Sequence, residues 1–171
     1  PLAYDKTSYN INFYRDPVQT GEKWRALYTD VILETIAILE KNGNESINTF
    51  VIRRNEAGEY YFYWGAITDE DAIAARDKLW RGNMTIDADA TAEEAYNTLR
   101  QRYMIPDDLP YEDAAKVLSV WQEVQNLAFK SYVPVTVASD VDASTVAEIT
   151  QRSDELMGMS AVQSFTRTYP R

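Results

Sequence analysis

Between Trp24 and Leu39 the apolar residues fall on one helical stripe: Trp24, Leu27, Tyr28, Val31, Ile32, Ile36 and Leu39. This spacing predicts a helix from about Glu22 to Asn42, with Thr20 as its cap and Gly43 as its stop. Leu33 and Ile38 widen the stripe, so the helix should be largely buried. The period then changes. Segments 47–54 and 59–67 are rich in β-branched and aromatic residues and flank Asn55-Glu-Ala-Gly58, which predicts a β-hairpin. Pairing Arg54 with Glu59 would set Phe50 near Tyr63 and Val51 near Phe62.

Further along, Thr68-Asp-Glu-Asp71 opens a second helix ending near Gly82, and Met84, Ile86 and Ala88 alternate as a short strand. Thr91-Ala-Glu-Glu94 is a capping box for a third helix over 92–103. A fourth follows Pro110 and runs to about Lys130, with Ala114, Val117, Leu118, Trp121 and Val124 on one face. Val133, Val135 and Val137 alternate as a strand, which Pro134 marks as an edge or a strand start. A fifth helix is expected over 142–157, and Val162–Thr168 reads as a last short strand. Residues 1–20 read as an extended N-terminal arm, with a hint of strand at Ile11 and Phe13. Residues 21–171 read as a single domain, with 104–110 as the one candidate break. The fold class is therefore α+β, mostly helical, with about five helices and a small, largely antiparallel sheet that includes the 47–67 hairpin.

Composition narrows the chemistry. The 171 residues include no histidine and no cysteine, which removes the Ser-His-Asp and Cys-His catalytic sets and the usual soft-metal ligands. The six glycines are too scattered for a Walker or Rossmann phosphate loop. Asp87-Ala-Asp89 and Asp140-Val-Asp142 begin like calcium loops but lack the glycine and glutamate such loops need. No metal and no cofactor are expected. Carboxylate pairs are the only acid–base supply, so an enzyme acting on a sugar-like or small substrate is an outer alternative.

The formal charge of −10 disfavours nucleic acid and anionic membranes and suits a protein partner with a basic surface. Without cysteine, a signal peptide or an apolar run of ~20 residues, the cytoplasm is the default location, although a secreted mature chain also fits. Two features suggest a contact surface. The run Tyr60-Tyr61-Phe62-Tyr63-Trp64 puts Tyr60, Phe62 and Trp64 on one side of a strand and Tyr61 and Tyr63 on the other, with Arg53 nearby. The stretch 87–113 carries eight carboxylates, among them Asp87, Asp89, Glu93, Glu94, Asp107 and Asp108, against two arginines. Together they predict a non-catalytic, acidic protein-binding protein of the inhibitor, immunity or anti-defence type. The alternative is a structural or assembly subunit of a homo-oligomer, a phage particle or a larger complex, reaching neighbours through the arm and the 160–171 tail.

Overall fold

The computed structural model describes residues 4–130 and 132–168, with side chains over 8–164 apart from 131. Pro1–Ala3 of the expected arm and Tyr169–Arg171 of the expected tail lie outside the described residues. Among these residues the order is β1 (Tyr4–Phe13), α1 (Glu22–Lys41), β2 (Ile52–Arg54), β3 (Tyr60–Phe62), α2 (Glu70–Met84), α3 (Ala92–Arg102), α4 (Tyr111–Asn126), β4 (Val135–Val141), α5 (Ala143–Gln151) and β5 (Met159–Thr168). Five α-helices with small antiparallel sheets make this an α+β fold.

The larger sheet has the order β4-β1-β5, antiparallel throughout. The segment expected to be an arm with a short strand is instead a ten-residue strand at the centre of the sheet. Ile11 and Phe13 alternate onto the buried face, where Val135, Val137 and Met159 join them. Pro134 directly precedes β4, an edge strand, where a missing N–H removes no ladder bond.

Helix α4 occupies the middle of the molecule. Nine of its sixteen residues are buried, among them Ala114, Val117, Leu118, Val120 and Trp121. It packs on α1, α2, α3 and β4. Small residues at 114 and 115 admit close neighbours, while Trp121 stacks on Tyr103 at 4.5 Å and meets Tyr28 edge-on. Trp121 also donates to Thr29 Oγ1, which in turn donates to the Tyr103 carbonyl.

Helix ends follow side-chain chemistry where it exists. The predicted capping box forms: Thr91 Oγ1 accepts from the Glu94 N–H, and Glu94 returns to the Thr91 N–H. Asp69 caps α2 and Asp142 caps α5. Other boundaries differ from expectation. The cap of α1 is Gly21, not Thr20, and it carries no side-chain hydrogen bond. Helix α2 runs to Met84, and the residues expected as a strand over 84–88 instead enter a turn at left-handed Thr85. Helix α5 stops at Gln151, and β5 begins three residues before the expected strand.

The hairpin register is shifted by one residue. Asn55 donates its N–H to the Glu59 carbonyl, Glu59 donates its N–H to the Asn55 side-chain oxygen, Gly58 donates to the Asn55 carbonyl, and Gly58 sits at φ 83°. That three-residue loop with a left-handed third position pairs Arg54 with Tyr60 and Ile52 with Phe62, not Arg54 with Glu59.

Two predictions follow from these ends. Gly158 has φ 90°, and an added Cβ would lie 2.6 Å from the Tyr14 carbonyl, whose own N–H donates to the Gly158 carbonyl. Gly158→Ala should cost about 2 kcal/mol or more in urea unfolding. The Asp142 carboxylate accepts from the hydroxyls of Ser144 and Thr145, from Asn44 and from the Thr145 N–H, which holds it far below the ordinary carboxylate range. A depressed carboxylate stabilises the fold above its unfolded pKa of about 3.9 and loses that contribution as pH falls towards its folded value. Asp142→Asn keeps the cap but not the charge, so its stability deficit should shrink steadily as pH is lowered from 4 towards 2.

Candidate functional site

The hairpin is held to the body by side chains of α4 acting on main-chain groups. Ser119 Oγ accepts from the N–H groups of Thr49 and Phe50, both at 3.0 Å, and donates to the Ala115 carbonyl at 2.7 Å. Gln122 accepts from the Val51 N–H and the Trp80 indole, and donates to the Thr49 carbonyl. Tyr111 donates its hydroxyl to the Ile52 carbonyl at 2.6 Å. The expected strand over 47–54 therefore pairs as strand only from Ile52, because α4 side chains satisfy the backbone before it.

This anchorage gives the hairpin an inner and an outer face. Inward, Tyr60 stacks on Tyr96 at 4.9 Å and meets Tyr111 edge-on. Phe62 stacks on Trp64 at 5.5 Å, and Trp80 closes on both. Arg81, paired with Asp77, lies over the Phe62 ring and donates to the carbonyls of Asp87 and Ala90. Burial raises the Tyr96 and Tyr111 hydroxyls above the ordinary phenol value, partly offset by Arg100 and Arg53 respectively, and the Tyr96 hydroxyl accepts from Arg100 while that of Tyr111 donates.

Outward, Tyr61 and Tyr63 are nearly half exposed, and the Arg53 guanidinium lies over the Tyr63 ring at 5.3 Å. Tyr61, Arg53 and Arg54 share an open cleft of about 400 Å³ with Tyr111, Glu112 and Lys116 of α4. A second cleft, of about 410 Å³, lies at the other end of the hairpin. Trp64, Leu79, Trp80 and Phe129 line it, with Arg76 bonded to the Trp64 carbonyl at its rim. Its described lining contains no carboxylate, and Leu79 and Phe129 are 66% and 80% exposed.

The acidic candidates lie elsewhere. Asp87 accepts from the Asp89 N–H in the turn after α2, and both are exposed. Glu93 and Glu94 occupy the first turn of α3, where the Thr91 N–H and hydroxyl hold Glu94 below its ordinary pKa. Asp107 and Asp108 stand exposed in the turn closed by Leu109 on Pro106. Thus Tyr60, Trp64, Tyr61, Tyr63 and Arg53 gather on the hairpin, and none of these six acids lines either hairpin cleft. Leu79 and Phe129 were not among the sequence candidates. On α2 the buried positions are Trp80 and Met84, and Leu79 faces solvent beside them.

The chain belongs to the penicillin-binding protein dimerisation domain family, whose sequence model matches residues 1–171. Among solved structures it is similar to penicillin-binding protein 2B from Streptococcus pneumoniae strain 5204, at 17% identity and TM-score 0.44, covering 100% of this chain and 24% of that one. The corresponding protein of strain R6 matches at 20% identity and TM-score 0.40, covering 98% and 23%. The chain thus spans about a quarter of the length of those proteins. No curated protein matches the sequence.

Family membership overturns the expectation of an inhibitor, immunity or anti-defence protein. That expectation rested on missing catalytic side chains and on surface charge, neither of which distinguishes a free-standing binder from a domain of a penicillin-binding protein. A protein partner or a homo-oligomer fits a dimerisation domain.

The anchorage can be tested directly. Ser119→Ala would strand the buried N–H of Phe50 and the partly buried N–H of Thr49, and should cost roughly 1–3 kcal/mol in urea unfolding. The amides of Thr49 and Phe50 should lose hydrogen-exchange protection before the rest of the core.

Proposed function

We propose that this domain is an association module of a penicillin-binding protein, and that it pairs with a second copy of itself through the cleft of Trp64, Leu79, Trp80 and Phe129. One observation carries the reading: on a chain of net charge −10, this cleft is apolar and its described lining is free of carboxylates.

A two-fold interface sets the same patch against itself, so each surface must complement its own copy. Acidic turns such as Asp87–Asp89 or Asp107–Asp108 would meet like charge and repel. An apolar patch has no such penalty, and exposed Leu79 and Phe129 can each enter the partner's aromatic cleft. Arg76 at the rim gives a donor for the partner's surface carboxylates. The family description supports pairing as the mode of association.

Sedimentation over micromolar to millimolar concentrations tests this. The expected result is a reversible dimer that Leu79→Glu/Phe129→Glu weakens at least tenfold with an unchanged circular dichroism spectrum. Tyr61→Glu, on the other cleft, should leave the dimer intact. A protein that stays monomeric throughout, or a dimer broken by Tyr61→Glu and not by the double variant, would overturn the reading.

A further inference from the structure

A third cleft, of about 370 Å³, lies away from the hairpin where the loop after β1, the start of α1 and the end of α3 meet. Three arginines from those three elements line it: Arg15, Arg25 and Arg102. Among the described residues no aspartate or glutamate lines it. On a chain with 27 acids and 17 bases, three converging guanidiniums without a carboxylate are an uncompensated concentration of like charge.

Hydrogen bonding sharpens the point. Arg102 is held in place, donating to the carbonyls of Met84 and Thr85. Arg15 and Arg25 differ: the Nε of each is buried without a hydrogen-bond partner, and among the described residues neither guanidinium forms an ion pair. A guanidinium whose inner Nε is buried without a partner loses hydration with nothing in return, and its two outer Nη groups still present a pair of N–H donors to the oxygens of an oxyanion in the cleft. Gly21 of the same cleft begins the 20-residue helix α1 without a side-chain cap, so the positive end of its dipole also opens there. The Tyr103 ring, stacked on Trp121, forms a wall, and its hydroxyl lies within the field of all three arginines.

We propose that this cleft is a binding site for a phosphate group, with Arg15 and Arg25 as the gripping forks and Arg102 as a fixed third charge. Two negative charges on one compact group match three cations better than a carboxylate's single charge. The volume exceeds that of a phosphate alone, which leaves room for an organic ester. The site is independent of self-association, since none of its residues lines the hairpin clefts.

Calorimetric titration with inorganic phosphate, phenyl phosphate and acetate at low ionic strength tests it. Saturable phosphate binding is expected in the millimolar range or tighter. Phenyl phosphate should bind more tightly if the natural ligand is an ester, and equally if it is free phosphate, while acetate should bind at least tenfold more weakly than either. Arg15→Gln and Arg25→Gln should each lower phosphate affinity roughly tenfold, and Arg53→Gln, outside the cleft, should not. Phosphate at ten times its Kd should raise the wild-type Tm by about 3 °C and that of the double variant Arg15→Gln/Arg25→Gln by much less. The last readout uses folded protein by definition, so a variant of low stability still reports. Absence of saturable phosphate binding, acetate binding as tight as phosphate, or equal affinity in Arg15→Gln, Arg25→Gln and wild type would overturn the proposal.

Discussion

Two polar side chains in the most deeply buried helix hold this domain in its shape. Ser119 and Gln122 sit on α4 at 0% and 2% exposure, surrounded by Val117, Leu118, Val120 and Trp121. Polar groups at such depth are tolerated because they bond the N–H groups of Thr49, Phe50 and Val51, the Thr49 carbonyl and the Trp80 indole. They therefore fix where residues 49–51 lie, and so where the hairpin projects. A purely apolar α4 would bury as much surface but would not specify the height or angle at which the hairpin attaches. The apolar cleft inherits its form from the same pair, since Gln122 also positions the Trp80 indole that forms one of its walls.

Much of the helical framework was legible in the residues. The apolar stripe from Trp24 to Leu39, the capping box at Thr91 and the acids around Asp69 each state a local preference that the tertiary structure respects. Strand pairing was harder to read. The hairpin register turned on whether Glu59 belongs to the loop or to the strand, and the Asn55 side chain, accepting from the Glu59 N–H, draws it into the loop. The central position of β1 could not be read locally, because its partners are β4 and β5, more than 120 residues away. The alternation of Met84, Ile86 and Ala88 was real, but with no neighbouring strand to pair with, it became a turn on the core.

Surface chemistry was legible in part. The two faces of the Tyr60–Trp64 run separate as alternation implies, with Tyr61 and Tyr63 outward. The acids, by contrast, serve helix starts and turns, and the aromatic face has basic companions in Arg53, Arg54 and Lys116. A net charge of −10 is an average over the whole chain, and it conceals how thoroughly the fold sorts the two signs. Arg15, Arg25 and Arg102 are unremarked in sequence because nothing in their spacing foretells that three elements will bring them together.

The pairing of Tyr4 with Thr168 spans nearly the whole described chain. On a ribosome, β1 must wait for β4 and then for β5, each more than 120 residues further along, while the helices between can already collapse around α4. The sheet is then the last part to close, and an exposed β1 is the segment on which a chaperone or an aggregating neighbour would act.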